Sequence, residues 1–211
     1  MITKLMKNVT YIFKSGRKQK IEENLVEAKD FFYGLHFLDS LKYNIQIIEF
    51  KDNRNILSPL FFLFDRFMNK VFNLPFYSSK LININNLKKL IKTDHLILVS
   101  ESTICSIFPL LLILKRIFRI EVSLFVMGLY SKKLRFRALK PIHNGIIKVL
   151  ILFVDNVFFL GEEELRLAKK IHRNENKLNH FPFSVDTEFW KSDKDINLGS
   201  NKKIIFVGND G

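Results

Sequence analysis

Cysteine occurs once in the 211 residues, at Cys105. A single thiol excludes an internal disulfide and any cysteine-built metal site, the usage expected of a reducing compartment. Its neighbours Ile104, Ile107 and Phe108 are apolar, which predicts a buried, inert thiol. Long apolar runs are equally missing. The longest, Ile104 to Leu114, is about half the roughly 20 residues that cross a bilayer, and Ile146 to Leu160 is broken by Lys148 and Asp155. The N-terminal residues Met1 to Asn8 contain no apolar stretch of the kind a signal peptide needs. His-Glu-x-x-His, Gly-x-Ser-x-Gly, the P-loop pattern and Gly-x-Gly-x-x-Gly are all missing. Their absence argues against a zinc hydrolase, a serine hydrolase, an NTPase and a dinucleotide enzyme. The five histidines show no metal-ligand spacing, so no metal site is expected.

Acidic residues are the next deficit: 21 Asp and Glu stand against 34 Lys and Arg, a net charge of +13. Such an excess suits a polyanionic partner, namely nucleic acid, an anionic membrane face or a phosphorylated substrate. It also fits a composition biased towards Lys, Asn, Ile and Phe with no partner implied. Nucleic acid is the weakest of these readings. A nucleic-acid surface interleaves cations with exposed aromatics, whereas the 22 Phe here fall in apolar stripes.

What the chain does have is an alternation of strand-like and helix-like segments. Val9–Phe13, Ile45–Phe50, Leu96–Val99, Val122–Val126 and Asn156–Leu160 are short and mostly apolar, closer to the pattern of strands covered on both faces than to strict alternation. Between them, helices are expected over Ile21 to Leu41, from Ser58-Pro59 onward, closing at Leu87 to Ile91, over Ile104 to Phe118, over Leu134 to Phe153 with a bend near Pro141 and Gly145, and over Glu162 to His172. The economical fold is an α/β, Rossmann-like, doubly wound parallel sheet. Residues 1–190 form its domain. Lys191 to Asn201 reads as a linker, and Ile204–Val207 with Gly208 as the opening strand and loop of a second domain.

Three passages carry a family likeness. Val154-Asp-Asn-Val-Phe-Phe-Leu-Gly-Glu-Glu-Glu164 resembles the strand-to-helix passage of GT-B-type glycosyltransferases that use nucleotide sugars. Asn179-His-Phe-Pro-Phe-Ser-Val-Asp-Thr-Glu-Phe-Trp190 is similar to that family's exit from its N-terminal domain. Lys203-Ile-Ile-Phe-Val-Gly208 is similar to the start of its C-terminal domain. The resemblance implies the acceptor-side half of a two-domain sugar transferase in its N-terminal, GT-B layout, with a nucleotide-diphosphate sugar as co-substrate and no other cofactor. It further implies retention of anomeric configuration and a glycan, lipid-linked or lipopolysaccharide-type acceptor. The family's donor-gripping residues would lie beyond Gly211, so this stretch alone is expected to be inactive. Two features depart from the family: one glycine, Gly16, in the loop after the first strand, and no His in Met127-Gly-Leu-Tyr130.

Ligands of α/β sheets bind at the carboxyl ends of the strands, which selects four loops: Lys14 to Lys20, Ser100 to Thr103, Met127 to Lys133 and Gly161 to Glu163. Gly16, Arg17 and Lys18 are candidates for a donor phosphate, as are Gly208 and Asn209 in the second domain; the first loop also reads as a solvated basic turn. Glu101 and Glu162 are candidate catalytic carboxylates able to orient or deprotonate an acceptor hydroxyl. Both also sit where helix starts favour acids for electrostatic reasons alone. Gly128, Tyr130, Lys132, Lys133, Arg137 and Lys140 are candidates for holding an anionic acceptor, the last three spaced as one helix face.

The helix from Ser58 places Leu60, Phe61, Leu63, Phe64, Phe67, Met68, Val71 and Phe72 on one stripe opposite Asp65, Arg66, Asn69 and Lys70, with Phe62 on the polar side. That stripe either packs into the core or rests on a membrane at the cytoplasmic face. In the second case Lys115, Arg116 and Arg119 are expected to reach towards headgroups. The alternative to an enzyme is therefore a basic α/β module that binds an anionic membrane or another polyanion.

Overall fold

The computed structural model describes residues 6–23, 28–51, 58–131, 134, 137–172, 176–182 and 184–190. Six parallel strands form one sheet: β1 (Lys7–Phe13), β2 (Tyr43–Glu49), β3 (His95–Leu98), β4 (Glu121–Val126), β5 (Asn156–Phe159) and β6 (Leu178–His180). They lie side by side in the order β2-β1-β3-β4-β5-β6. Pairing is regular, with Tyr11 level with Ile47 on one side and with Ile97 on the other. The sheet is parallel throughout because every connection returns to the same edge through a helical crossover. The Rossmann-like α/β layout expected of the sequence is present. The expected strand Ile204–Val207, the linker and Gly208 and Asn209 lie outside the described residues.

Helices α2 (Ser58–Phe72), α3 (Ser78–Leu81), α4 (Ile84–Ile91), α5 (Glu101–Ile117), α6 (Lys140–Leu152) and α7 (Glu162–Ile171) follow β2 onward. One face of the sheet meets them in a single core, in which Leu98, Leu124, Val126 and Phe159 touch Leu111, Ile147 and Ala168. The opposite face buries Val9, Tyr11, Phe13 and Val99 against Phe32 and Leu35. This second cluster is supplied by the single connection from β1 to β2, through α1 (Arg17–Glu22) and two 3₁₀ turns, Lys29–Phe32 and Leu35–Phe37. Cys105 is fully buried, as its neighbours suggest.

Three helices differ from their sequence pattern. In place of one helix over 21–41, α1 ends at Glu22 and the chain turns at Tyr33 (φ 50) and Gly34 (φ 80), left-handed positions that stop any helix. No bent helix runs from Leu134. Instead α6 starts at Lys140 with Pro141 in its first turn, where the missing N–H of proline costs nothing, and Arg137 precedes it in a 3₁₀ turn. Arg137 and Lys140 therefore do not stand on one α-helix, and Lys132 and Lys133 lie outside the described residues.

The third difference concerns α2. It buries Asp65, Met68 and Phe72 and leaves Leu60, Leu63, Phe64 and Phe67 exposed. Asp65 decides this orientation. Its carboxylate accepts hydrogen bonds from Ser78 N, Ser79 N and Ser79 Oγ, each at 2.9 Å, and so caps the start of α3. A carboxylate taken out of water needs such donors. Holding Asp65 inward turns part of the apolar stripe outward.

Candidate functional site at the carboxyl edge

Between β1 and β3 the sheet reverses its direction of growth, since the chain first steps outward to β2 and then back past β1. In parallel sheets the crevice outside the strand ends at such a point is the habitual ligand site. Here a cavity of about 540 Å³ opens there, lined by Lys14, Ser15, Arg17, Tyr33, Tyr77, Glu101 and Met127 among others.

Each wall follows from local structure. β1 ends at Phe13, and the turn Lys14–Gly16 closes with Gly16 at φ 77, a conformation a side chain would strain. Arg17 opens α1 and lays its guanidinium over the rings of Phe31 and Phe32, 5.2 and 5.7 Å from their centroids. On the opposite wall β3 runs into α5, where the Ser100 amide donates to Thr103 Oγ1 at 3.3 Å. Glu101 is the first residue of that helix and half-buried. Tyr33 stands between the walls. Burial raises its hydroxyl pKa first of all, Arg17 opposes the rise and Glu101 adds to it, so the three side chains feel one another across the crevice. The crevice thus gathers two of the sequence candidates, Arg17 and Glu101, with Gly16 setting its rim. Lys18 and Lys14 are exposed beside them.

Several backbone N–H groups of this edge are already engaged. Arg17 N and Lys18 N donate to Glu49 Oε1 at 2.5 and 2.8 Å. Past β4, Tyr130 N donates to Glu164 Oε1 at 2.9 Å, and the Gly128 and Leu129 amides also hold that carboxylate. Glu164 nevertheless has its pKa raised, by burial first and with Glu101 as a neighbouring like charge. Gly128 adopts φ 148, and a Cβ on it would lie 3.9 Å from Glu101 Oε1 and 3.7 Å from Ser131 Oγ. Gly128 therefore brings the β4 loop close to Glu101.

Other candidates lie apart from the crevice. Tyr130 points inward: its hydroxyl shares a 2.7 Å hydrogen bond with His172 Nε2, and burial raises its pKa strongly. His172 in turn is held down to about 4 by burial, with Lys177 and Lys148 contributing. Glu162 projects into solvent at the start of α7, with His180 Nδ1 4.0 Å from its Oε1. Lys140 is exposed at the start of α6. Lys115, which the membrane-docked alternative would send towards headgroups, pairs with Asp155 at the amino edge, at 2.5 Å.

Sequence reasoning missed two residues. Glu164 rather than Glu162 reaches the β4 loop, and the signal for it is Ala168: with Ala168 buried, the residue four positions earlier lies on the inner face. Asp186 fixes the segment that leaves β6. Its Oδ2 accepts from Lys29 N at 3.1 Å, and its Oδ1 from Glu188 N and Phe189 N, both at 3.2 Å. These bonds, the Lys29 amide foremost, lower its pKa. They hold 184–188 over a cavity of about 390 Å³ that includes Tyr33 and Phe125.

Chemically the crevice offers a carboxylate facing cations. Glu101 can accept a hydroxyl proton, while Lys14 and Arg17 can balance phosphate charge. Among the described residues no group of His, Cys, Asp and Glu is arranged to hold a metal ion, and no helix is long and apolar enough to cross a membrane. Comparison of the chain with protein-family models, with curated proteins and with solved structures finds no match.

Proposed function

We propose that this chain is the acceptor-side domain of a GT-B-type glycosyltransferase that moves a sugar from a nucleotide-diphosphate donor to a cell-envelope glycan or lipid-linked acceptor. The placement of Glu101 carries the proposal: it lies at the reversal of a parallel sheet, in a cavity of about 540 Å³, opposite Arg17 and Lys14. In this reading Glu101 orients or deprotonates the acceptor hydroxyl. The cations balance the charge of the departing diphosphate, and the sugar and nucleotide are held by residues following Trp190. Retention of configuration and a place at the cytoplasmic side of a membrane follow from the family likeness. The Asp186 tie supports it too, since it steers the chain out beside the crevice, where a donor-holding domain would have to stand.

The test uses the protein as its gene encodes it, incubated with radiolabelled nucleotide sugars and a membrane extract. Transfer of label into a glycan or glycolipid is expected. Glu101→Gln should lower it by about 10²–10⁴-fold, the range for loss of a general base. A folded protein that transfers no label from any nucleotide sugar overturns the reading.

A second reading, a non-catalytic basic module on an anionic surface, draws on one observation: the exposed Leu60, Leu63, Phe64 and Phe67 of α2. It predicts surface binding with no transfer.

A further inference from the structure

Three cavities on this molecule share walls. The crevice of about 540 Å³ and a smaller space of about 220 Å³ have Lys14, Ser15 and Tyr77 in common. That smaller space shares Tyr77 and Lys80 with a third, of about 500 Å³, whose outer wall is the Phe62, Arg66 and Lys70 side of α2. Together they make one groove from Glu101 to α2.

Beyond the groove, α2 turns Leu60, Leu63, Phe64 and Phe67 to solvent, spaced i, i+3, i+4 and i+7. Arg66 and Lys70 stand between this apolar stripe and the groove. Among the described residues the one carboxylate along this wall, Asp65, is committed to Ser78 and Ser79. Apolar surface bordered by cations complements an anionic lipid: chains against the stripe, phosphate against the cations.

We propose that α2 rests on an anionic bilayer and that the groove admits the phosphate-bearing head of a membrane lipid, so that the acceptor is a phosphorylated lipid presented to Glu101 from the membrane. The substrate class rests on the transferase reading above; the bilayer contact does not.

Flotation of the protein with vesicles of phosphatidylcholine, alone or mixed with phosphatidylglycerol, tests the contact. Binding is expected only to the anionic vesicles. Arg66→Glu and Lys70→Glu should each weaken it by about fivefold or more, near the worth of one cation at such a surface. Leu63→Glu with Phe67→Glu should abolish it, all four positions being exposed so that folding is preserved. Equal binding to neutral vesicles, full binding by the Leu63/Phe67 variant, or displacement by inorganic phosphate overturns the contact. A bimane fluorophore on Ser15→Cys tests the groove, the buried Cys105 leaving the new thiol as the reactive one. Headgroup spin-labelled lipid should quench it in bound vesicles; bound protein without quenching overturns lipid entry. No nucleotide sugar is present, so these outcomes are separate from the transfer assay.

Discussion

Helices α2 and α5 are both strongly apolar, yet they use that character in opposite ways. In α5, Ile104, Ile107, Leu111 and Leu114 are buried between the sheet and its neighbours, and the helix is part of the core. In α2, Met68 and Phe72 are buried and Val71 packs against the core from a half-buried position, while five large apolar side chains, Leu60, Phe62, Leu63, Phe64 and Phe67, face solvent. Each helix also holds the segment between them through polar side chains, among them Asn69 of α2, whose Nδ2 donates to Phe76 O at 2.8 Å. Asp65 of α2 caps Ser78 and Ser79, and Ser106 of α5 accepts from Tyr77 N at 2.9 Å while donating to Ser102 O at 2.6 Å. Apolar content alone does not place a helix face; a single buried acceptor does. It fixes the rotation of the helix about its axis, and the remaining side chains go where that rotation puts them.

The largest test of this contrast substitutes leucines. Leu111→Ala should cost about 2–5 kcal/mol in urea denaturation, the range for emptying a packed site. Leu63→Ala should stay within about 0.5 kcal/mol, as exposed positions do. Equal losses would erase the difference between the helices. Next in size is Asp65→Ala, which leaves two backbone N–H groups without their acceptor. It should cost about 2–3 kcal/mol and restore protease sensitivity around 73–79. Ser106→Ala, removing a neutral acceptor from the same segment, should cost about 1 kcal/mol.

The smallest effect sharpens the comparison through α7, which packs Leu165 and Ala168 on the core and ends at His172. His172 is held at a pKa of about 4 beside Tyr130, Lys177 and Lys148. The unfolded chain takes up that proton near its ordinary value of about 6.5. Stability contributed by neutral His172 is therefore complete above about 6.5 and is lost as pH falls towards about 4. The urea midpoint should fall between pH 7 and pH 5.5 in the wild type and fall less in His172→Gln.

These contrasts also mark what the sequence could tell. The strands were legible because β1, β3, β4 and β5 each carry a short run dominated by apolar residues, and Ser58-Pro59 announced α2 by cap chemistry. The outward turn of α2 was not legible, since the partners of Asp65 lie 13 and 14 residues further along and only the fold brings them together. Tyr33 and Gly34 ended the expected helix through left-handed backbone that no periodicity reports. At the candidate site, Glu101 was readable from its position after β3. Glu164 was masked by standing third in a run of three glutamates, of which the first two are exposed.

Glu49 and Glu164 carry one last implication. Each sits where a loop's amides converge, and each fills that seat with the protein's own negative charge. A visiting phosphoryl group is thus left to long, hydrated side chains such as Lys14 and Arg17, whose pull reaches only about 10 Å at 0.1 M salt. Affinity for such a visitor should then erode steeply with ionic strength, whereas a pocket built of backbone dipoles would keep its grip.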